Sequence, residues 1–441
     1  MKEEHHYTPS YYVWQKFISN KTAVGSLIFI LSAAVVGIFA YLIMPDYSPN
    51  ANESMLEIRK QYPFFQATIV KIALNKEPKT TSFWKRLLNG EEPSYKSYAV
   101  SDVQIMNDSV FIRLYVASIE SIRSRVMSRN LPETTTAPAT LYKPVFDHAL
   151  PLVDAVRAIY PLPSTKLGGV YPGNFYIVGD TVVYLDIKEN IKKESLTQLR
   201  KEFTQKNIST RIFYLGTDRQ GRDMLSRVIL GTRISLMIGF ASVIISLALG
   251  IVLGSMAGYF GGVIDHVIMW LMTVVWSIPS IMLVIAIRMA LGSKGLWVVF
   301  VAVGLTTWVE IARIVRGEIM SIKQKLYVEA ARAFGYSHMR IIYHHILPNI
   351  FGSIVVLASS NFATAIILEA GMSFLGIGVQ IPTPSWGNMI YEAYATINSL
   401  HAEHLIMIPC TGMGLLVLAF NFLGNGLRDA YDPKTLVSKN K

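Results

Sequence analysis

Residues 234–264 read ISLMIGFASVIISLALGIVLGSMAGYFGGVI and contain no Asp, Glu, Lys or Arg. A helix needs about 20 largely apolar residues to cross a bilayer, and this stretch is long enough. Four further runs share the property and cover residues 22–45, 266–287, 341–368 and 404–427. A sixth apolar segment, 295–315, is interrupted only by Glu310 and Arg313, which lie three apart and therefore on one helix face. The sequence thus predicts six transmembrane helices.

The overall composition excludes two other classes of protein. With 51% hydrophobic and only 16% charged residues in 441, the chain is too apolar to be disordered. Its single cysteine, Cys410, cannot form a disulfide within the chain. A soluble core would have to bury all these helices on every side, which is rare. The first apolar run is longer than a signal-peptide core and no A-x-A site follows Met44, so we expect it to remain as an anchor.

The stretch between the first two predicted spans, residues 45–215, has an ordinary polar composition. Alternating segments at 175–178 and 181–185 flank Gly179-Asp180, which is typical of a hairpin. Helical patterns occur at about 54–61 and 190–206, with a Thr/Pro-rich loop at 132–138. The predicted fold is an all-α polytopic membrane protein of six transmembrane helices, with an inserted extracytoplasmic α+β domain between helices 1 and 2.

Lys and Arg in short loops mark the cytoplasmic side of a membrane protein. The loop between predicted spans four and five carries five of them, whereas residues 371–403 carry none; the five are Arg316, Lys323, Lys325, Arg332 and Arg340. We therefore expect a bacterial inner-membrane protein with both termini cytoplasmic. The predicted parts are a cytoplasmic N-terminal segment 1–22, transmembrane helix 1 at 23–44, the insertion 45–215, a core 216–433 containing helices 2–6 and a cytoplasmic loop 317–348, and a cytoplasmic tail 434–441.

Searches for catalytic motifs fail along the whole sequence. There is no G-x-x-x-x-G-K-[ST] loop, H-E-x-x-H, cysteine pair or G-x-S-x-G, so we expect no catalytic residue, metal site or cofactor in this chain. The net charge of +11 is spread over helix ends and the insertion, and no basic stripe with interleaved aromatics indicates nucleic acid.

The predicted cytoplasmic loop contains the most specific pattern, YVEAARAFGYSHMRIIYHHILP at 327–348. We expect a helix that reaches Phe334 and ends at Gly335, a residue suited to the left-handed position after a helix. Ser337 is placed to cap a second short helix that stops before Pro348. Two short helices joined by glycine form a knob suited to a partner's groove, although an ordinary surface loop has the same pattern.

This segment resembles the EAA signature of ABC importer permeases, which contacts the ATPase subunit. The match lies at Glu329, Ala330, Ala331, Gly335, Leu347 and Pro348. His345 stands where the signature has Ile, and an H-x-L-P ending is familiar in the dipeptide, oligopeptide and nickel branch. We call residues 326–348 the EAA segment. The resemblance implies that these seven residues couple the chain to an ATPase.

Other stretches resemble the C-type permease subunit of the same branch. They are LGTDRQGRDMLSR (215–227), GYFGGVID (258–265), LEAGMSFLGIG (368–378), PTPSWGN (382–388), NFLGNGLRD (421–429) and the entry from Trp14. The resemblance covers about 14–50 and 215–433 and leaves out the insertion. Asn425 replaces the Asp usual in the G-D-G-L-R-D ending, so no role is assigned to that position.

The resemblance implies a non-catalytic permease subunit of an ATP-driven importer for peptides or peptide-like solutes. Its partners would be a homologous B-type permease, two cytoplasmic ATPases that bind ATP and Mg, and an extracytoplasmic solute-binding protein, in a lipid bilayer and without nucleic acid. A membrane-anchored sensor or scaffold acting through the extracytoplasmic domain is the alternative. An ion-coupled secondary transporter would show inverted repeats, and we see none.

Glycines, loop segments and ionisable residues in the predicted membrane core add further expectations. Gly250, Gly254 and Gly258 lie four apart on one face, the small-residue pattern of closely packed membrane helices. Residues 218–230 predict a short amphipathic interfacial segment, and the Gly- and Pro-rich 376–388 predicts an irregular one. Ionisable groups at membrane depth usually face a cavity or a partner charge, which makes four residues candidates for the translocation path: Arg288, Glu310, Arg313 and Glu369.

Overall fold

The computed structural model describes residues 9–76, 81–115, 147–159, 175–292, 295–396 and 402–431; the predicted loop at 132–138 and tail at 434–441 lie outside these ranges. The helices are α1 (Pro9–Ser19), α2 (Lys21–Ile38), α3 (Ala40–Ile43), α4 (Phe83–Asn89), α5 (Leu152–Val156), α6 (Leu196–Glu202), α7 (Met224–Phe260), α8 (Gly262–Ser277), α9 (Ser280–Leu291), α10 (Leu296–Ile322), α11 (Leu326–Ala333), α12 (His338–Ile341), α13 (Leu347–Phe374), α14 (Trp386–Tyr394) and α15 (Glu403–Tyr431). The strands are β1 (Phe65–Ala73), β2 (Tyr95–Met106), β3 (Ser109–Leu114), β4 (His148–Pro151), β5 (Phe175–Val178), β6 (Thr181–Leu185), β7 (Ile191–Ser195) and β8 (Ile208–Phe213).

The chain divides into two compact units. The helical unit comprises Met1–Ala40, Val228–Ala395 and Ile406–Lys441. The sheet unit comprises Tyr41–Arg227 and Thr396–Leu405.

Five helices of the described chain are long and apolar enough to cross a membrane: α2, α7, α10, the continuous stretch His338–Phe374, and α15. The pair α8 and α9 passes the same test together but bends by 99° at its break. The charge-free run 266–287 predicted one transmembrane helix, and the structure differs there. Ile278 is extended, with φ of −93° and ψ of 128°, because the Pro279 ring that follows disfavours the helical conformation at the preceding residue.

Helix α7 packs closely against α10 along its glycine face, as predicted. A Cβ added to Gly250 would lie 2.6 Å from the Cβ of Ile311, and one added to Gly254 would lie 2.5 Å from the carbonyl oxygen of Ala312. At Gly258 the nearest atom would be the Arg316 carbonyl oxygen, at 2.8 Å. The two backbones therefore approach more closely than any side chain at these positions would permit.

The sheet unit contains two antiparallel sheets. One has the order β4-β3-β2-β1-β8 and the other the order β5-β6-β7. In the first, Phe65 of β1 pairs with Phe213 of β8, and Thr68 pairs with Val100 of β2. Apolar side chains from both sheets and from α5 and α6 form one core that includes Val70, Ile112, Leu152, Val182, Leu199 and Phe203. The predicted α+β fold of the insertion agrees with this arrangement.

Local predictions within the sheet unit had mixed outcomes. The hairpin is confirmed, since β5 and β6 pair and Val178 faces Thr181 across the Gly179-Asp180 turn. The predicted helix at 54–61 is wrong, because only a single 3₁₀ turn, Leu56–Ile58, forms there. Within 190–206, residues Ile191–Ser195 form β7 and the helix begins only at Leu196. β7 pairs with the preceding strand β6, and this cross-strand pairing overrides the helical pattern.

The predicted amphipathic segment at 218–230 also differs from the structure. Helix α7 begins at Met224 and continues without a break into the apolar run. The side chains of Arg222 and Arg227 are buried, and Arg222 Nε lies 2.6 Å from Asp218 Oδ2. These charges satisfy one another inside the protein, so the charged face of a surface helix does not form.

Candidate functional site

Helix α11 opens the EAA segment and ends as the sequence predicted. Gly335 adopts φ of +77°, the left-handed conformation that glycine accepts without steric cost. The Tyr336 amide donates to the Ala331 carbonyl and the Gly335 amide donates to the Arg332 carbonyl, at 3.2 and 3.0 Å. This is a Schellman turn, which satisfies two carbonyls left open by the helix end.

The same helix has one buried and one exposed face. Val328 and Ala331, three residues apart, are buried. Glu329 and Ala330 lie between them in sequence and are exposed, as is Gly335. The helix is therefore attached by its apolar stripe, and the signature carboxylate is accessible.

Three large apolar side chains of the EAA segment are also exposed. Leu326 is 83% exposed, Phe334 81% and Met339 60%. Sequence reasoning did not single out these three residues. Their sequence position could have indicated them, because they are isolated large apolar residues within a polar, basic loop. The segment therefore exposes three large apolar side chains as well as the Glu329 carboxylate.

The second half of the EAA segment differs from the prediction. Helix α12 begins after Ser337, but no side-chain capping bond from Ser337 forms. The helix does not stop before Pro348. It continues through a π-helical turn, Ile342–Ile346, into α13, where Pro348 occupies the first turn. Pro348 has no amide to donate, and it lies directly after the π turn, where the regular helical bonding pattern is already interrupted. The knob is therefore continuous with the long apolar helix.

Two further signature residues lie on this continuous stretch. The ring of His345 stacks on that of Tyr336, with centroids 5.8 Å apart. Leu347 is partly buried and packs against the core cluster of Val328, Ala331, Ile341, Ile346, Ile350 and Tyr259. The cluster joins the EAA segment to the ends of α7 and α10.

Polar contacts reinforce the attachment. His338 Nδ1 and the Tyr259 hydroxyl lie 2.9 Å apart. Arg316, near the end of α10, donates from Nε and Nη2 to both carboxylate oxygens of Asp265, at 2.5 and 2.7 Å. Lys323 Nζ donates to the Gly258 carbonyl at 2.8 Å. Because a bidentate pair fixes both partners, the turn after α7 is held to the end of α10.

Two of the four candidate path residues lie around one loop. Arg288 is buried and donates from Nη1 to the Gly378 carbonyl at 2.5 Å. Glu369 is buried and accepts a 2.6 Å hydrogen bond from Ser373 Oγ, which in turn accepts from the Val379 amide. Both residues thus hold the loop after α13. That loop is irregular only up to Ser385, because α14 begins at Trp386; the predicted irregular stretch was three residues too long at its end.

The other two candidates lie apart from that loop on α10. Glu310 is exposed, and the Arg313 guanidinium lies 3.6 Å from the centroid of the Trp276 ring. This is a cation–π geometry. The assignment of all four residues to a translocation path remains a prediction.

The exposed side chains of the EAA segment include a carboxylate, basic groups, small side chains and large apolar ones. This composition is suited to docking against another protein. Within the described residues, no group of three or more His, Cys, Asp or Glu is arranged to hold a metal ion.

Comparison with known proteins identifies the family. Residues 250–437 match the family model described as the binding-protein-dependent transport system inner membrane component. Residues 8–63 match the N-terminal TM domain of oligopeptide transport permease C. A relative, the glutathione transport system permease protein GsiD of Pectobacterium atrosepticum, is 44% identical over 221 residues, which are 50% of this chain and 72% of that protein. The chain belongs to this permease family.

Other similar proteins have related names. The dipeptide transport system permease protein DppC of Bacillus subtilis is 40% identical over 237 residues, 54% of this chain and 73% of that one. Among solved structures, an inward-facing MetNI methionine ABC transporter is 20% identical, with a TM-score of 0.40 over 47% of this chain and 98% of that chain.

Family membership confirms the predicted resemblance to the C-type branch and the predicted function class. This permease is a membrane-embedded, non-catalytic subunit of a binding-protein-dependent ABC importer, a system that works with ATPase and substrate-binding partners. The two family models leave residues 64–249 unmatched, and these include all eight strands of the described chain.

Proposed function

We propose that this permease forms half of the translocation path of an importer for peptides or peptide-like solutes. The relatives named for dipeptide, oligopeptide and glutathione transport support this substrate class. A homologous B-type permease supplies the other half, and an extracytoplasmic binding protein delivers the solute. Two cytoplasmic ATPases bind ATP and Mg, and this chain binds neither.

The EAA segment is the proposed coupling element. Support comes from the exposed Glu329 and Ala330 on a helix that is anchored by its opposite face. Because α12, the π turn and α13 are continuous, movement of a docked ATPase would be transmitted along α13 as rigid-body motion. Gly335, His345, Leu347 and Pro348 shape this element.

For the membrane topology we propose six spans with both termini cytoplasmic. The bent pair α8 and α9 would serve as one broken span, since broken helices are tolerated where protein or water satisfies the backbone. We keep the division into an N-terminal segment 1–22, helix 1 at 23–44, an extracytoplasmic insertion 45–215, a core 216–433 and a tail 434–441. Arg288, Glu310, Arg313 and Glu369 remain the candidate path residues.

Purification of the complex tests the assignment of partners. The full chain, carrying an affinity tag, is extracted from its native membrane in mild detergent. We expect an ABC ATPase and a second permease to co-purify. Recovery of the chain alone from a membrane in which it supports uptake would contradict the proposal.

A charge reversal tests the coupling role. Glu329 and Glu403 are both exposed glutamates in the first turn of a helix. Glu329→Lys is expected to abolish most transport-linked ATP hydrolysis and peptide uptake in reconstituted vesicles, whereas Glu403→Lys is expected to leave both unchanged. Equal activity of the two variants would remove the docking role from Glu329.

One observation favours a second candidate function, a sensor or scaffold. The sheet unit has its own apolar core and two sheets in its described residues, and the family models do not cover them. A sensor predicts that solute binds the chain without the binding protein. Calorimetry of the reconstituted complex with a peptide mixture, with and without binding protein, separates the two functions.

A further inference from the structure

Helix α4 of the sheet unit exposes two adjacent aromatic rings. Phe83 is 58% exposed and Trp84 is 69% exposed, and their centroids lie 5.6 Å apart. Only Leu87 on this helix is buried, while Lys85 next to Trp84 is exposed. A soluble domain gains nothing from two exposed aromatic rings beside a lysine, so the composition points to a surface that covers them.

The chain just after α2 holds this helix in place. The backbone of Gly90, which ends α4, packs against the buried Tyr41 ring, and an added Cβ would lie 2.7 Å from Tyr41 Cε1. The Glu91 amide donates to the Tyr47 carbonyl at 3.0 Å. Arg86 lies 5.7 Å from the centroid of the Tyr47 ring and 3.4 Å from the Glu91 carboxylate. Helix α4 is therefore attached to residues 41–47 at several points.

The position of residues 41–47 relative to a bilayer follows from the length of the preceding helices. Helix α2, from Lys21 to Ile38, has 18 residues. At about 1.5 Å per residue it extends roughly 27 Å, close to the roughly 30 Å of a bilayer's hydrocarbon core. Tyr41 to Tyr47 then lie near the boundary between hydrocarbon and headgroups. Since α4 contacts these residues, α4 lies at the same depth.

We propose that α4 is a membrane-interface anchor and that the lipid bilayer covers Phe83 and Trp84. Aromatic rings are enriched at membrane interfaces, where one end of the ring is apolar and the other is hydrated. A short helix with aromatics on one side and a basic residue beside them binds in the plane of the interface, and Lys85 is available to anionic headgroups. The anchor ties the sheet unit, whose strands the family models leave unmatched, to the bilayer.

Spin-label accessibility tests the anchor in the full chain. Cys410, the free cysteine of the described chain, is replaced by Cys410→Ser. A nitroxide is then attached after Phe83→Cys or, in a separate protein, Trp84→Cys. A third protein with Ile191→Cys provides the control, since Ile191 is also exposed and apolar but lies on β7. The proteins are reconstituted into bilayers of phosphatidylcholine and phosphatidylglycerol.

Collision rates with oxygen, which concentrates in the bilayer, and with a water-soluble nickel chelate are compared. At positions 83 and 84 we expect the ratio of oxygen to nickel rates to exceed the ratio at 191 several-fold. A label at either position that collides with nickel as often as the label at 191 overturns the proposal. Labels at 83 and 84 shielded from both reagents also overturn it, because protein would then cover the helix. Two adjacent positions guard against a local effect of one substitution.

Discussion

At the scale of single residues, Gly335 shows how one backbone conformation defines a site. Its positive φ ends α11 and turns the chain so that Glu329 and Phe334 remain exposed. The open space around Gly335 would accommodate a side chain, since no atom lies within 4 Å of an added Cβ. The constraint is therefore conformational and not steric, which is why the sequence alone predicted it.

Gly335→Ala should loosen this turn. Placing a residue with a Cβ in the left-handed region costs about 1–2 kcal/mol, roughly a 5- to 30-fold change in the opening equilibrium. We expect the amides of Gly335 and Tyr336 to exchange hydrogen faster by about that factor. Gly317→Ala is the control, since Gly317 lies inside α10 with an equally open surrounding and ordinary helical φ. Unchanged exchange in Gly335→Ala would refute the role assigned to the turn.

Asp154 makes the stability of the sheet unit depend on pH, and the direction of the change follows from its pKa. Burial raises the pKa of this carboxyl from 3.8 to about 6. The folded state therefore binds the proton more tightly than the unfolded state. The stabilisation by protonated Asp154 is present below about pH 4, is lost as the pH rises from about 4 to 6, and does not change further above that.

Asp154→Asn should remove this dependence. At pH 7 we expect slower hydrogen exchange in β1 and β2 than in the unmodified chain, and at pH 4 we expect no difference. Asp186→Asn supplies a control of opposite sign, because the Asn190 amide lowers the pKa of Asp186. The ionised Asp186 carboxylate stabilises the folded sheet unit at neutral pH, and this stabilisation is lost as the pH falls. If Asp154→Asn changed hydrogen exchange equally at pH 4 and pH 7, the raised pKa of Asp154 would not be the cause.

At the scale of elements, the glycine face of α7 sets the distance to α10. A stripe of small residues lets the backbones meet, and the contacts at Gly250, Gly254 and Gly258 are with backbone and Cβ atoms that cannot rotate away. The same helices carry the core around the EAA segment. Correct packing of the pair is therefore a condition for a correctly placed coupling element.

Gly254→Val should separate the two helices. The added Cβ would lie 2.5 Å from the Ala312 carbonyl oxygen, and overpacking of this kind costs about 1–3 kcal/mol. We expect a lower temperature of aggregation for the detergent-solubilised protein. Gly414→Val in α15 is the control, because no atom lies within 4 Å of a Cβ there. If both variants lowered the aggregation temperature by a similar amount, the cause would be valine itself and not the α7–α10 contact.

Sequence patterns predicted the long helices better than they predicted where helices begin and end. The apolar runs predicted the long helices, because length and apolarity are local properties. The break at Ile278–Pro279 and the continuation through Pro348 are opposite outcomes for two prolines. Periodicity does not distinguish a proline that breaks a helix from one in a first turn, since the difference depends on the conformation of the neighbouring residues.

At the scale of the whole molecule, the chain enters and leaves the main sheet of the sheet unit at neighbouring positions. Phe65 of β1 pairs with Phe213 of β8 in an antiparallel ladder. Paired residues in such a ladder lie about 5 Å apart, so a link of a few residues suffices to join them. An inserted domain with adjacent ends is compatible with a chain that folds around it.

Replacement of residues 66–212 by a short Gly-Ser linker tests this modularity. We expect the shortened chain to remain in the membrane after carbonate extraction and to co-purify with its ATPase. A chain in which the same linker replaces 326–348 should stay in the membrane but lose the ATPase. Loss of membrane insertion on removal of 66–212 would show that the permease core requires the sheet unit in order to fold.

The sequence by itself determined the class of the protein, its apolar helices, the hairpin at Gly179-Asp180 and the turn at Gly335, because apolar length and glycine conformation are local properties. Only the tertiary structure revealed the Arg316–Asp265 pair, the grouping of Arg288 and Glu369 around one loop, and the attachment of α4 to Tyr41 and Tyr47. Each of these features brings together residues from separate parts of the chain. Local pattern carries no information about such partners, since the three-dimensional path of the backbone decides which side chains meet.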